Sequence, residues 1–140
     1  MGQYTELIFG ASLKKDTPKE VIDVLDYLVT LNNKPKTLPE HDFFKNDRWE
    51  GVLCMGSYYF GVSDSVSQLW FDKIDKQWHL SNRSNLKNYD SEIENFLDWI
   101  KPYIGTGSGT DDFYAIVCNE EERTPTIYYK KVKEVDANGI

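Results

Sequence analysis

The sequence predicts an α+β domain, with two helices laid on one face of a single, mostly antiparallel sheet. Three observations carry this. The segment from Tyr4 to Leu13 alternates with a period of two. Two stretches, after Thr17 and after Asp90, repeat apolar residues at helical spacing behind helix-start signals. Between and after them lie aromatic-rich runs bounded by turn residues.

In the first run, Thr5, Leu7, Phe9, Ala11 and Leu13 share one side, and Tyr4, Glu6, Ile8, Gly10 and Ser12 the other, as in a strand with one buried face. Thr17-Pro18-Lys19-Glu20 then reads as a helix start: Thr17 as cap, Pro18 at the first helical position, Glu20 closing a capping box. Val21, Val24, Leu25, Leu28 and Leu31 follow as the apolar stripe of a helix from about Pro18 to Leu31.

Asn32 to Arg48 is a long polar connection with two prolines, pinned to the core by a short turn at Phe43 and Phe44. Trp49 to Gly61 reads as a second strand, with Gly51 and Gly56 as bulge sites. Val66–Ile74 and Gln77–Arg83 read as a hairpin. A two-residue turn at Asp75-Lys76 places Phe71 opposite Leu80 and Lys73 opposite Trp78.

Asp90 is the expected cap of the second helix, with Glu92 and Glu94 beside the positive end of its dipole. Ile93, Phe96, Leu97, Ile100 and Ile104 form its stripe, and Pro102 ends it near Lys101. After the glycine-rich loop 105–109, Phe113–Asn119 and Pro125–Val132 complete the sheet, the last as an edge strand. The expected order is β-α-β-β-β-α-β-β, about six strands in one domain over residues 1–133. Residues 134–140 are read as a flexible tail.

Composition narrows the function. The chain has 140 residues, enough to bury a core without staples, and 14% of them are aromatic. Sixteen basic against 23 acidic residues give a net charge of −7, which argues against nucleic acid as the partner, because phosphate neutralisation needs a basic surface. Cys54 and Cys118 are far apart and sit in apolar stretches, so they read as reduced, buried thiols. With no leader pattern and no apolar run near 18 residues, no membrane association and a cytoplasmic location are expected.

Motifs with chemistry are scarce. Gly105 to Gly109 follows a helix instead of preceding one, and Asp111 and Asp112 come next, so it reads as a helix C-cap at Gly105 and a slack connection, not a phosphate cradle. His41 and His79 have no second histidine or cysteine at metal-ligand spacing. Cys54 has no cation beside it, and the acids after Cys118 raise a thiol pKa. No catalytic residue, metal or cofactor is assigned.

The unusual stretch is Ser81 to Tyr89, dense in hydrogen-bonding side chains and carrying Arg83 and Lys87 in an acidic chain. His79, Ser81 and Arg83 share one strand face. Trp70 is expected across the hairpin, and Tyr58 and Phe60 on a neighbouring strand. Arg83, Asn85, His79, Trp70 and Tyr58 are therefore the candidate residues for a ligand or partner. The local alternative is that Asn and Ser cap the next helix and Arg83 pairs with a carboxylate.

Across most of the chain, Glu6-Leu7 through Val21-Ile22, Ser57-Tyr58-Tyr59-Phe60-Gly61, Arg83 through Asp90, and Glu92-Ile93 with Phe96-Leu97-Asp98-Trp99-Ile100 resemble a family of small bacterial and phage-type proteins without an established activity. The resemblance implies an accessory protein and transfers no catalytic residue. Together these readings favour a non-enzymatic acidic module that binds another protein, as an inhibitor or immunity-type protein does. The alternatives are a small polar-ligand or enzymatic site around Arg83, and a homodimer through the last strand.

Overall fold

A computed structural model describes residues 4–56, 65–105 and 112–130. Among these described residues it holds one antiparallel sheet of five strands and two α-helices. The strands are β1 (Thr5–Ser12), β2 (Val66–Asp72), β3 (Gln77–Leu86), β4 (Asp112–Asn119) and β5 (Thr126–Lys130). The helices are α1 (Lys19–Thr30) and α2 (Glu92–Ile100). The strand order is β2-β3-β1-β4-β5, with β1 at the centre and β2 and β5 at its two ends. Residues 131–140, which include the expected tail, and residues 106–109 of the glycine-rich loop lie outside the described residues.

The alternation in β1 decides which way the sheet faces. Leu7, Phe9 and Leu13 are buried, while Ile8 and Gly10 are exposed. The register carries the same inward face across to Leu80, Asn82, Ser84 and Leu86 of β3 and to Ala115 and Val117 of β4. Both helices pack on that side. Val21, Val24, Leu25 and Leu28 of α1 and Ile93, Phe96, Leu97 and Ile100 of α2 join the inward strand residues in one core. Phe96 meets Phe9 edge-on with 5.6 Å between ring centroids. Leu31 departs from the expected stripe. It sits past the end of α1 at a φ of 61°, half exposed, with its N–H donating to the Tyr27 carbonyl.

The expected helix caps are replaced by others. Thr17 donates its hydroxyl to the Lys14 carbonyl, and Pro18 occupies the cap position of α1 with no side-chain cap bond. At α2 the cap position falls on Ser91, one residue after Asp90. The free N–H of Ile93 is instead satisfied by Asn88 Oδ1 at 2.9 Å. Gly105 is not a helix C-cap. The chain turns through a 3-10 segment at Lys101–Tyr103, Ile104 bridges to Leu13, and the Gly105 N–H donates to the Ser12 carbonyl.

The second expected strand is the main correction. Over its described part, residues 49–56, the chain forms no strand. Two 3-10 turns occupy Asp42–Lys45 and Asp47–Gly51, with His41 and Asn46 accepting the first free N–H groups through their side chains. Residues 57–61 of that expected strand lie outside the described residues. Aromatic packing explains the difference. Phe43, expected as an anchor, is buried among Phe44, Trp49, Phe96 and Trp99, and Trp49 is drawn into the same cluster.

The hairpin register also differs from expectation. Phe71 faces Trp78 and Leu69 faces Leu80, because the turn has four residues, Lys73–Lys76, instead of two. Asp72 makes the longer turn. Its Oδ1 accepts the N–H groups of Ile74 and Asp75 at 2.8 and 3.2 Å. Lys76 closes the turn at a φ of 58°, its N–H donating to the Asp72 carbonyl.

Candidate functional site: the outer face of the sheet

With both helices on one side, the other side of the sheet presents the odd-looking residues of the sequence. The register aligns a row across all five strands: Val66 opposite Arg83, Arg83 opposite Ile8, Ile8 opposite Ile116, and Ile116 opposite Ile127. Val66, Ile8 and Ile127 are exposed, at 64%, 37% and 45%. Trp70 at one corner and Phe113 with Tyr129 at the opposite one are exposed as well. The last two meet edge-on at 6.5 Å. Alternation explains the arrangement: β1 places Ile8 on the outer side because Leu7 and Phe9 are committed to the core.

Four of the five candidate residues lie on this face by register, and the structure separates their roles. Trp70 and His79 are cross-strand partners whose rings stack at 5.2 Å with planes 29° apart. His79 Nδ1 lies 2.9 Å from Ser12 Oγ, and its Nε2 lies 3.5 Å from Asp72 Oδ2. Asp72 is held below the usual carboxylate range, first by the two backbone N–H groups of its own turn and then by His79.

Arg83 donates from Nε to Glu6 Oε2, the carboxylate two residues along β1 from its cross-strand partner Ile8. Glu6 is almost fully buried, although it alternates with the inward residues of β1. The neutralising guanidinium is what allows it. Cys118 lies beside Glu6 on β4, and burial with the Glu6 charge pushes its thiol upward. Burial does the same for Cys54. Both are free and half-buried.

Asn85 is different. It faces Glu6 across the strand pair and is 1% exposed, yet among the described residues neither its Oδ1 nor its Nδ2 has a hydrogen-bond partner. Its neighbours in sequence are all accounted for. Asn82 and Ser84 turn inward, where Ser67 donates to Asn82, Asn82 to Ser84, and Ser84 to the Val52 carbonyl. Asn88 serves α2. The local reading of the Ser81–Tyr89 stretch therefore holds for Asn88, which caps α2, and for Arg83, which pairs with a carboxylate. Asn82 and Ser84 bond to Ser67 and to the Val52 carbonyl instead of capping the helix, and Asn85 has no such role among the described residues. The fifth candidate, Tyr58, lies outside the described residues.

Sequence reasoning missed Glu6, Ser12 and Asp72. Each reads as an ordinary polar residue of a strand or turn. Only the pairing of β1 with β3 and of β3 with β2 brings them to Arg83 and His79. A second unforeseen pair, buried Glu92 with Arg48 at 2.7 Å, ties the 3-10 turn to the start of α2. The carboxylates of α1, Glu20, Asp23 and Asp26, line a cavity of about 550 Å³ with Asn33, Pro35, Lys36 and Thr37. That cavity is on the helical side, away from the apolar row.

Among the described residues, no cluster of three His, Cys, Asp or Glu side chains is placed to hold a metal ion, and no helix is long and apolar enough to cross a membrane. Compared with protein-family models, with curated proteins and with solved structures, the chain matches none.

Proposed function

We propose that this protein is a binding module that docks another protein on the outer face of its sheet, working in the cytoplasm as a small accessory, inhibitor or immunity-type protein. The observation that carries the reading is the exposure of Val66, Ile8 and Ile127 along one row, in which Arg83 and the half-buried Ile116 alternate with them, together with Trp70, Phe113 and Tyr129 on the same side of the sheet. Contiguous exposed apolar surface with aromatic corners is what protein interfaces use at their centres. Arg83, between Val66 and Ile8 in the row, is already paired with Glu6, so it supplies hydrogen-bond donors without an unpaired charge. The partner surface that fits is apolar and flat. The two free thiols are compatible with a reducing compartment.

The test is capture from a lysate of the source cells, quantified for three forms of the full chain. Val66→Lys with Ile127→Lys puts charge into the apolar row at exposed positions of the two outermost strands, where lysine is tolerated. Asp23→Lys with Asp26→Lys changes only the helical side. A partner retained by the second double variant and lost by the first is the expected result. Retention by the first, or no partner at all, removes the reading. Light scattering at two concentrations separates a foreign partner from a second copy joined through the edge of β5.

A second reading, a small polar ligand beside Arg83, is favoured by one observation: the buried carboxamide of Asn85, which has no hydrogen-bond partner among the described residues. Thermal-shift measurements with small amides, ureas and guanidinium compounds test it. Stabilisation of the native chain that disappears in Asn85→Leu supports the reading, and no stabilisation by any of them removes it.

A further inference from the structure

The contacts of His79 have a direction that packing alone does not require. Both ring nitrogens are engaged, Nδ1 with Ser12 Oγ at 2.9 Å and Nε2 with Asp72 Oδ2 at 3.5 Å. Asp72 is fixed by the hairpin turn, because its Oδ1 takes the N–H groups of Ile74 and Asp75 and leaves Oδ2 for the imidazole. In the tautomer that carries its proton on Nε2, the imidazole points that N–H at the carboxylate and leaves Nδ1 as an acceptor. The lone pair of Nδ1 then points at Ser12, which donates. Trp70, stacked on the imidazole, holds the ring plane. Hydroxyl, imidazole and carboxylate stand here in the order found at activated nucleophiles, which are recognised by geometry and not by sequence position.

There is also room for a substrate. The next residue on the same face of β1 is Gly10, and a Cβ built there would meet no atom within 4 Å. This bare floor is bordered by Ser12 and Ile8 along β1. Across the ladder lies Ser81, and beyond it Gln68, both exposed. A serine hydroxyl and a glutamine amide are side-chain donors of the kind that stabilise an oxyanion.

We propose that Ser12 is a nucleophile toward small activated esters, with His79 as its base and Asp72 as the positioning residue. Ser12 Oγ attacks the acyl carbon, and its proton passes to His79 Nδ1. As the bond from the acyl carbon to the leaving oxygen breaks, that oxygen takes the proton from Nδ1. Water, deprotonated by the same nitrogen, then attacks the acyl-serine, releases the carboxylic acid and restores Ser12. No oxidant or metal enters the balance. This site shares Ile8 and Trp70 with the proposed docking face, so a bound partner would cover it, whereas Val66 and Ile127 take no part in the chemistry.

The full chain is incubated with p-nitrophenyl butyrate, and separately with an alkyl fluorophosphonate followed by peptide mapping. The expected result is ester turnover above buffer and a single phosphonyl adduct on Ser12. Ser12→Ala returns turnover to the buffer rate, and His79→Gln lowers it about a hundredfold, the usual scale of general-base assistance. Asp72→Asn keeps an acceptor for the turn but removes the carboxylate from Nε2. It is expected to lower kcat roughly tenfold or more with KM unchanged, and Asp72→Glu to restore part of the loss. No adduct on the native chain, an adduct on lysine or tyrosine instead of Ser12, or full kcat in Asp72→Asn overturns the assignment. The mapping on the native chain does not depend on whether any variant folds.

Discussion

Single side chains carry two predictions about stability. Asn85 buries a carboxamide that, among the described residues, has no hydrogen-bond partner. An unsatisfied buried amide costs about 1–3 kcal/mol relative to an apolar group of the same shape. Asn85→Leu, of similar volume, is therefore expected to raise the unfolding free energy by about 1–3 kcal/mol in urea titration. A loss of stability instead would mean that the carboxamide has a partner in the folded chain.

Tyr27 makes the second. Its hydroxyl donates to Glu50 Oε1, and this hydrogen bond, with burial, pushes the phenol up to about 12 from an ordinary 10.0. A folded pKa raised above the unfolded one gives stability that is fully present below pH 10. That stability is lost as pH rises from there through about 12. Tyr27→Phe is expected to remove this alkaline component of the melting curve and to cost about 1–2 kcal/mol at neutral pH. Melting temperatures from pH 7 to 12 for the two proteins check both statements. Glu50 is the complement, held below its ordinary value by the same hydrogen bond and then by Lys34, so its contribution fades as pH falls through its lowered folded pKa.

At the scale of elements, the connection between α1 and β2 decides how well the sheet is covered. Its first 3-10 turn exists because His41 and Asp42 start it and because Phe43 is driven into the core. There it stacks on Trp99 at 5.8 Å and meets Phe96 at 5.6 Å. Phe43→Ala removes the ring that joins the turn to α2 and is expected to cost about 3–5 kcal/mol, the usual range for a fully buried phenylalanine. The checking measurement is chemical unfolding together with proteolysis between residues 32 and 48. Faster cleavage there, with β1 and β3 still protected, identifies the turn as the part released. The hairpin shows a related dependence. The Asp72 side chain replaces the glycine that a two-residue turn needs, and the resulting four-residue loop moves every cross-strand partner by two positions.

On the scale of the whole molecule, the acidic face of α1 and the apolar row lie on opposite sides of the sheet, and on the outer face Arg83 is paired with Glu6 and Asp72 with His79. The exposed carboxylates of α1 lie on the helical side, and the apolar row lies on the other face of the sheet. The net charge of −7 thus acts on a sheet-face partner only from a distance, through its field. In the capture experiment, retention through the row is expected to change little between low and 0.5 M salt, whereas retention through Glu20, Asp23 and Asp26 would fall steeply. The same segregation explains why acidity alone, as composition presents it, does not locate the binding surface.

Some of this was legible in the linear chain. Period-two alternation was enough to assign the faces of β1, because one face is buried and a slip by one residue would expose Leu7 and Phe9. The apolar stripes located both helices, and Pro102 their second end, since these signals depend on neighbours within one or two turns. His79, Ser81 and Arg83 shared a face for the same local reason. Their partners were out of reach. Glu6 to Arg83 spans 77 positions and Ser12 to His79 spans 67, and nothing local distinguishes those residues from solvated ones.

By itself, then, the sequence determined an α+β chain, its two helices, the buried side of its central strand and the polar, cationic character of the stretch after His79. The tertiary structure alone decided that Trp49 joins an aromatic turn instead of a strand and that Arg83 closes on a buried Glu6. It also decided that Asn85 is buried with no hydrogen-bond partner among the described residues and that Ser12, His79 and Asp72 meet. The physical reason is one of range: propensity, capping and periodicity act within a few residues, whereas register and burial are set by which strands pair across the sheet.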